Sequence, residues 1–423
     1  MKQLRIDRNY ICSKKMRWIL TIVILLALEV YAFQAFKTLF RFWWSLSAYV
    51  GITLIVVGLM IYSFYQPTPN GSLTGFRAYM IGFFLSLMAL KLSIIVMMFG
   101  EDIVRFFIFL YRKLFTSSVD NLPSRRKFIS TIALGLGAIP FLSLLYGMFK
   151  GKYNFKVLAY ELEFDNLPEA FDGYQITQIS DIHSGSFDNQ EKIEYAVNLV
   201  NEQNSDVILF TGDLVNNLAD EMKPWTPVFS EFKAKDGVYS ILGNHDYGDY
   251  YDFKTKKDKQ ENFERLVKVH SDMGWDLLRN ERREITKGES KLHLIGVENW
   301  GKGGFKKAGD FKKAAEGIDA NDFKILMSHD PSHWDEEIKH HEKDVQLTLS
   351  GHTHGMQFGI EIPGWFKWSP VQYRYEQWAG IYENAKRYIN VNRGFGYLAY
   401  PGRVGIWPEV TVLKLKRKSP SEV

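Results

Sequence analysis

Seven residues of the types that bind divalent metal ions follow short apolar segments after residue 150. They are Asp181, His183, Asp213, Asn244, His329, His352 and His354. His352 and His354 stand two residues apart, so on an extended backbone their imidazole rings point in the same direction. Nitrogen and oxygen ligands without a thiolate suit manganese, iron or zinc better than magnesium or a closed structural zinc site. The residue types therefore predict a binding site for such ions.

The composition of this set also predicts how many ions are bound. Two carboxylates, one amide oxygen and four imidazoles are enough for two divalent ions that share one bridging carboxylate. Two ions about 3.5–4 Å apart can clamp a phosphoryl group and lower the pKa of water to about 7. We therefore expect two Mn, Fe or Zn ions as cofactors and hydrolysis of a phosphoric ester or pyrophosphate as the reaction.

The segments that precede these residues have the pattern of an α/β protein. Apolar strand-like runs occur at 173–180, 206–211, 237–242, 323–327 and 344–349, and apolar residues at helical spacing occur at 190–203. Alternating strands and helices predict a largely parallel sheet, with ligands bound beyond the carboxyl ends of its strands. The basic residues 414–423 are predicted to be a frayed tail.

The first 150 residues have the composition of a membrane domain. Apolar stretches at 18–36, 42–65, 79–99 and 128–149 each approach the ~20 residues that a helix needs to cross a bilayer. They predict about four transmembrane helices in a domain of residues 1–150, followed by a catalytic domain of residues 151–423. A shorter apolar run at 103–115 predicts a separate interfacial helix.

Two charged residues, Glu29 and Lys91, lie inside predicted spans. Charges within the hydrocarbon region either pair between helices or line a transport path. The sequence leaves both alternatives open.

Charge divides at the same boundary as hydropathy. Residues 1–150 carry 17 Lys and Arg against 5 Asp and Glu, a net charge of +12, whereas the remaining residues carry 35 against 43, a net charge of −8. No nucleic acid is expected as a partner, because phosphate neutralisation needs clustered cations. The expected partners are the lipid bilayer and an amphiphilic or small phosphoester substrate. The single cysteine, Cys12, excludes an internal disulfide.

The orientation in the membrane rests on one motif, because cations are nearly equally divided between the two sides. Ser124-Arg125-Arg126-Lys127 precedes the last apolar stretch and resembles a twin-arginine export signal in an internal position. It predicts a protein of the plasma or inner membrane with its catalytic domain outside the cytoplasm. A plain basic stop-transfer flank is the alternative.

The motifs taken together resemble a known family. Asp181-Ile182-His183, Gly212-Asp213, Gly243-Asn244-His245-Asp246, His329 and Gly351-His352-Thr353-His354 resemble the signature of calcineurin-like metallophosphoesterases over about residues 155–415. The resemblance implies a four-layer α/β sandwich with two sheets and a dinuclear centre at their edge, preceded here by an all-helical membrane region.

The resemblance also implies a role for each site residue. One ion is expected to bind Asp181, His183 and His354, and the other Asn244, His329 and His352, with Asp213 as the bridging ligand. His245 is expected to act on the leaving-group oxygen as a general acid or charge stabiliser, oriented by Asp246. The family often has an acidic residue where this chain has Asn216, and this departure weakens any role for the position but changes none of the expected ligands.

The substrate class follows from the membrane half and from aromatic loops such as the one around Trp365. The chain resembles transmembrane proteins with a metallophosphoesterase domain and, more distantly, the hydrolases that cleave UDP-diacylglucosamine. A lipid-linked or amphiphilic phosphoester, such as a phospholipid, is therefore expected, with Arg393 and Arg403 as candidate phosphate contacts. Surface roles for these arginines, and core or membrane-interface roles for the aromatics, are the alternatives. The functional alternatives are a tethered phosphodiesterase for soluble nucleotides and a non-catalytic membrane receptor.

Overall fold

The computed structural model describes residues 2–40, 42–68, 73–115, 126–362 and 364–418. Ser124 and Arg125 of the export-like motif and residues 419–423 of the predicted tail lie outside the described residues. The chain divides into two compact units, one of Met1–Gln66 and Met80–Leu145 and the other of Pro67–Tyr79 and Tyr146–Val423.

Four long helices contain most of the described residues of the N-terminal region. They are α1 (Lys2–Leu39), α2 (Trp43–Tyr65), α3 (Gly75–Phe115) and α4 (Arg126–Phe149). Within the described part of the chain, α2, α3 and α4 are long and apolar enough to cross a membrane, and α1 contains the predicted first apolar stretch. The prediction of a separate interfacial helix at 103–115 is wrong, because no proline interrupts the sequence after the third span and the helix continues to Phe115.

The two charges inside the predicted spans form an ion pair between α1 and α3. Lys91 Nζ lies 2.7 Å from Glu29 Oε2 and 2.9 Å from Thr53 Oγ1, and the lysine is buried. Each charge is neutralised by the other, so the structure supports the pairing between helices.

The described residues of the second unit form 14 strands and five short or medium α-helices after α4. The strands are β1 (Lys156–Phe164), β2 (Gln175–Ile179), β3 (Val207–Phe210), β4 (Val238–Ser240), β5 (Asp276–Leu277), β6 (Glu281–Lys287), β7 (Ser290–Gly296), β8 (Lys324–Met327), β9 (Leu347–Ser350), β10 (Ile360–Ile362), β11 (Phe366–Trp368), β12 (Gly380–Asn384), β13 (Arg387–Val391) and β14 (Glu409–Arg417). The helices are α5 (Gln190–Asn201), α6 (Thr226–Phe229), α7 (Lys256–Asp272), α8 (Phe311–Ala314) and α9 (Ser332–Glu336).

Two six-stranded mixed sheets form the centre of this unit, in the orders β1-β14-β2-β3-β4-β5 and β12-β13-β9-β8-β7-β6. Successive side chains of a strand point to opposite faces, and β3 shows the consequence. Val207 and Leu209 pack between the two sheets, whereas Ile208 and Phe210 pack against α5, α6 and α7. On the other side, α8 and α9 cover the second sheet. The result is the predicted four-layer α/β sandwich.

The predicted frayed tail is instead a central strand up to Arg417. β14 lies between β1 and β2, parallel to the first and antiparallel to the second. Leu413 and Leu415 are fully buried in the core between the sheets. Lys414 and Lys416 alternate with them, so the segment has a basic composition although one of its faces is part of the core.

Candidate metal centre

The predicted ligands lie in loops at the carboxyl ends of β2, β3, β4, β8 and β9. Five of them have a left-handed backbone, with φ between 47° and 71°; these are Asp181, His183, Asp213, His352 and His354. Such conformations cost of order 1–3 kcal/mol each for residues other than glycine and cluster at functional sites. Hydrogen bonds between the loops hold the backbone there, as from Asp181 N to Gly212 O at 2.9 Å and from His183 N to Asp213 O at 3.1 Å.

Two glycines allow the loops to approach each other closely. A Cβ atom at Gly351 would lie 2.2 Å from Asp181 Oδ2, and one at Gly243 would lie 2.2 Å from Asp213 Oδ1. Any side chain at either position would therefore displace a carboxylate of the site.

Asp181, His183 and His354 form the first group of converging donor atoms. The Nε2 atoms of His183 and His354 lie 3.0 Å apart, and His354 Nε2 lies 3.2 Å from Asp181 Oδ1. Ligands that bind one ion at ~2.1 Å and at right angles are separated by about 3.0 Å. The spacing of this group therefore fits one ion.

Asn244, His329 and His352 form the second group. His352 Nδ1 lies 2.8 Å from Asn244 Oδ1. The amide NH₂ of Asn244 donates to Tyr250 Oη at 3.0 Å, which orients the amide oxygen towards the histidine. His329 Nδ1 donates to the carbonyl of Thr211 at 2.7 Å, so its other ring nitrogen, Nε2, is left to bind a metal.

Asp213 lies between the two groups. Its Oδ2 atom is 3.1 Å from His329 Nε2 and 3.6 Å from His183 Nε2, and its Oδ1 atom accepts the backbone N–H of His245 at 2.8 Å. One carboxylate oxygen thus faces a nitrogen of each group, which is the arrangement that a bridging ligand requires.

The carboxylates of the site are held in the ionised form. Burial opposes ionisation of Asp213, but the facing His329 ring holds the pKa of the carboxyl well below its usual range. Burial likewise opposes ionisation of Asp181, whose pKa is lowered by His354. Both side chains can therefore bind cations.

The hydrogen-bond geometry tests whether divalent ions fit this site. The proton of His329 lies on Nδ1, so in the neutral ring the lone pair of Nε2 points at the Asp213 carboxylate. His352 Nε2 lies 2.8 Å from Tyr375 Oη; if it donates there, the lone pair of Nδ1 points at the oxygen of Asn244. Among the described residues, His329 Nε2 is buried without a hydrogen-bond partner while it faces the Asp213 carboxylate, so a divalent ion can replace a proton between the two groups.

His245 lies at the edge of this centre, but Asp246 does not orient its ring. His245 Nδ1 lies 2.8 Å from the carbonyl of Asn216. The carboxylate of Asp246 instead accepts backbone N–H groups from Gly243, Asp213 and Leu214 at 2.8–2.9 Å. The expectation of an Asp246–His245 pair is therefore wrong, because the carboxylate is already bonded to the backbone of the two ligand loops.

The two candidate phosphate-binding arginines are both buried. Arg393 Nη1 lies 2.5 Å from Glu409 and its Nη2 lies 2.5 Å from Glu361, so its charge is already neutralised. Arg403 donates to the carbonyl of Gly396, and its Nη2 lies 3.2 Å from Nδ1 of His354. Burial lowers the pKa of Arg403 to about 9. Neither the phosphate role nor the surface role predicted for these arginines agrees with this packing.

Three residues near the ligands carried no recognised signal in the sequence. Tyr375 Oη lies against His352, Tyr250 contacts the amide of Asn244 and the ring of His245, and Asp330 Oδ2 lies 3.4 Å from His352 Nε2. Asp330 directly follows a predicted ligand, and this position was the one available clue. The tyrosines lie in aromatic stretches where nothing distinguishes them from core residues.

Comparison with known families agrees with this architecture. Residues 174–356 match the family model described as "Calcineurin-like phosphoesterase". Residues 16–152 match the model described as "Probable Calcineurin-like phosphoesterase, transmembrane domain".

Individual relatives align with 59–66% of the chain. The chain is 29% identical over 253 residues to the uncharacterized metallophosphoesterase YkuE of Bacillus subtilis, an alignment that covers 59% of this chain and 82% of the relative. It is 29% identical over 281 residues to the transmembrane protein with metallophosphoesterase domain of Danio rerio, covering 64% of this chain and 60% of the relative. An uncharacterized metallophosphoesterase of Aquifex aeolicus is 28% identical over 283 residues, covering 66% and 99% of the two chains.

The two matched segments correspond to the two halves that hydropathy and charge distinguish. The family binds divalent metal ions, and the structure contains two groups of side chains able to hold them. The chain therefore belongs to the calcineurin-like metallophosphoesterases, as a membrane-associated enzyme with an N-terminal transmembrane domain.

Proposed function

We propose that the enzyme hydrolyses a phosphoester or pyrophosphate bond of a lipid-linked or otherwise amphiphilic substrate. Asp181, His183 and His354 hold one divalent ion in this proposal. The second ion is held by Asn244, His329 and His352, with Asp213 shared between them. When bound, such ions polarise the phosphoryl group and lower the pKa of water.

The observation that supports an amphiphilic substrate is that Arg403 contacts two different parts of the protein. Its backbone N–H lies 3.2 Å from the carbonyl of Gly147, near the C-terminal end of α4. Its guanidinium contacts His354 and is fully buried. A single residue thus links the end of a membrane span to a proposed metal ligand, which favours a substrate whose phosphate lies at the bilayer surface.

His245 provides the proton in this proposal. Its Nδ1 atom donates to the carbonyl of Asn216, so Nε2 is the ring atom available to deliver a proton to the leaving oxygen. The T-shaped contact between the rings of His245 and His183, with centroids 4.9 Å apart, keeps His245 beside the first metal group. A positioned imidazole of this kind contributes typically 10²–10⁴-fold to the rate.

The alternative enzyme is a tethered phosphodiesterase for soluble nucleotides. The two groups of metal ligands are polar, and ions bound there would contact only the phosphate of a substrate. A substrate without a lipid part would therefore also fit, which favours this alternative. The contact between Phe305 and His352, with ring centroids 4.8 Å apart, brings an apolar side chain to the site and supports an amphiphilic substrate instead.

An assay of the purified full-length chain separates these proposals. Turnover is measured with manganese against a phospholipid, a nucleotide-linked lipid, a soluble nucleotide and a chromogenic diester, with and without mixed micelles. We expect the lipid substrates to be preferred and their turnover to rise with their surface fraction in the micelle. Faster turnover of the soluble nucleotide, independent of micelles, would establish the tethered phosphodiesterase, and no turnover of any substrate would favour the receptor.

We further propose that the catalytic domain faces away from the cytoplasm, across a plasma or inner membrane. The proposal rests on the arginine pair at 125–126 before the last span and on counting α1 as a span beside α2, α3 and α4, which makes the number of spans even. Fusions of a reporter after Val423 test it, and a reporter that is active only in the cytoplasm would reverse the orientation.

A further inference from the structure

The hairpin of β10 and β11 directs its apolar side chains outward. Ile360 pairs with Trp368 and Ile362 with Phe366, so these four side chains share one face of the hairpin. Ile360, Ile362 and Phe366 are 54%, 44% and 48% exposed, and Trp365 at the turn is 81% exposed. A two-stranded hairpin in water normally directs its polar face to the solvent, so this arrangement is inverted.

The charged residues of the hairpin face the protein instead. Glu361 and Lys367 pair across the strands and point to the opposite face. Glu361 accepts hydrogen bonds from Arg393 at 2.5 and 2.9 Å. Lys367 Nζ donates to the carbonyl of Ala379 at 2.6 Å and lies 3.1 Å from Tyr382 Oη. The charged side chains of the hairpin are therefore bonded to the rest of the protein, and its apolar face is the one exposed to solvent.

The same alternation begins just after the metal-ligand loop. Met356 and Phe358 are exposed, whereas Gln357 between them is buried and donates to the carbonyls of Tyr400 and Gly402, both at 2.9 Å. The outward hairpin face consists of Met356, Phe358, Ile360, Ile362, Trp365 and Phe366.

Backbone hydrogen bonds link the hairpin base to the end of a membrane span. Gly359 N donates to Val404 O at 2.9 Å, and Val404 N donates to Gln357 O at 2.8 Å. The preceding Arg403 N bonds to Gly147, two residues before the end of α4. Three-residue strands extend roughly 10 Å at ~3.3 Å per residue, so the short hairpin stays near the backbone that is bonded to the end of α4.

We propose that the outward hairpin face inserts into the interfacial region of the bilayer that contains the transmembrane helices of the same chain. Tryptophan and phenylalanine favour this region, and apolar surfaces attached to a membrane anchor bind it without a further partner. Also at the base of the hairpin, directly after β11, Ser369 Oγ donates to the carbonyl of Gly355, beside His354, at 2.8 Å. An inserted hairpin would thus keep the metal centre close to the bilayer surface. This role in catalysis rests on the proposed lipid substrate.

Site-specific fluorescence tests the insertion without any measurement of activity. Cys12→Ser removes the single cysteine of the chain. Trp365→Cys or Phe366→Cys then accepts an NBD label in the full chain reconstituted in phosphatidylcholine nanodiscs. Tyr195→Cys is the matched control, because Tyr195 is a 58% exposed aromatic residue on α5. We expect spin-labelled lipid to quench the probe at 365 and 366 but not at 195. Equal quenching at all positions, or none at the hairpin, would overturn the proposal and favour a protein partner for this face.

A pair of substrates then tests the role in catalysis. The double variant Trp365→Ser/Phe366→Ser is compared with Tyr195→Ser. We expect the hairpin variant to lose about a hundredfold in kcat/KM on a vesicle-embedded phospholipid, about tenfold for each of the two aromatic side chains removed, and to retain turnover of a soluble aryl diester. Quenching without this selective loss would support insertion and count against the lipid substrate.

Discussion

Replacing His245 with either asparagine or glutamine separates proton donation from bracing of the loop. The ring makes one side-chain hydrogen bond, from Nδ1 to the carbonyl of Asn216 at 2.8 Å. The amide nitrogen of asparagine occupies nearly the position of Nδ1, so His245→Asn keeps this bond but removes Nε2. His245→Gln removes the bond and places a group that cannot donate as an acid near Nε2. The backbone N–H of residue 245 still bonds to Asp213 in both variants.

The magnitudes of the two effects differ enough to distinguish them. A neutral hydrogen bond contributes about 1 kcal/mol to stability. General acid catalysis contributes 10²–10⁴-fold, or about 2.7–5.4 kcal/mol at 1.36 kcal/mol per factor of ten. We therefore expect His245→Asn to keep both metals and its melting temperature while it loses about 10²–10⁴-fold in turnover of an alkyl phosphoester. An ester with an activated aryl leaving group needs no proton and should retain most of its turnover.

The assay combines metal content by elemental analysis, thermal unfolding, and kcat for two substrates that differ in the pKa of the leaving group. If His245 only braces the loop, His245→Asn remains active on both substrates, and His245→Gln loses metal and activity together. Retention of alkyl phosphoester turnover by His245→Asn would refute the reasoning.

Three further predictions concern the metal groups and the membrane ion pair. Asp213→Asn should reduce occupancy of both ions, because one oxygen of Asp213 faces nitrogens of both His183 and His329; elemental analysis that finds a single group depleted would contradict the bridging role. Exhaustive chelation should abolish turnover and manganese should restore it, and turnover that survives metal-free dialysis would exclude a dinuclear mechanism. Lys91→Met should destabilise the membrane unit by about 3–5 kcal/mol, because it leaves Glu29 unpaired; thermal unfolding in detergent measures the loss, and Glu29→Gln/Lys91→Met should restore much of it.

The site shows why some residues were predictable and others were not. Each predicted ligand follows a strand, and carboxyl ends of parallel strands meet at one edge of a sheet. Chain order therefore predicts that the ligands after β2, β3 and β4 lie together and that those after β8 and β9 lie together, and the packing of the two sheets brings the two sets into one site. The interpretation of Arg393 as a phosphate contact failed, because the sequence does not show whether an arginine in a loop binds a phosphate or a carboxylate of the protein. Its partners, Glu361 and Glu409, lie 32 and 16 residues away along the chain, and only folding brings all three together.

The sequence by itself determined the set of metal-binding residue types, the α/β class and the membrane region, because each depends on residue types and on periodicities within a few residues. Tertiary structure decided which contacts the charged and apolar residues make. It placed the basic segment of β14 inside a sheet and bonded Asp246 to the ligand loops rather than to His245. It also turned the charges of the β10–β11 hairpin inward and its tryptophan outward. The physical reason is that burial and pairing depend on neighbours distant in the chain, and the free energy of a charged or aromatic side chain depends on those neighbours more than on its own type.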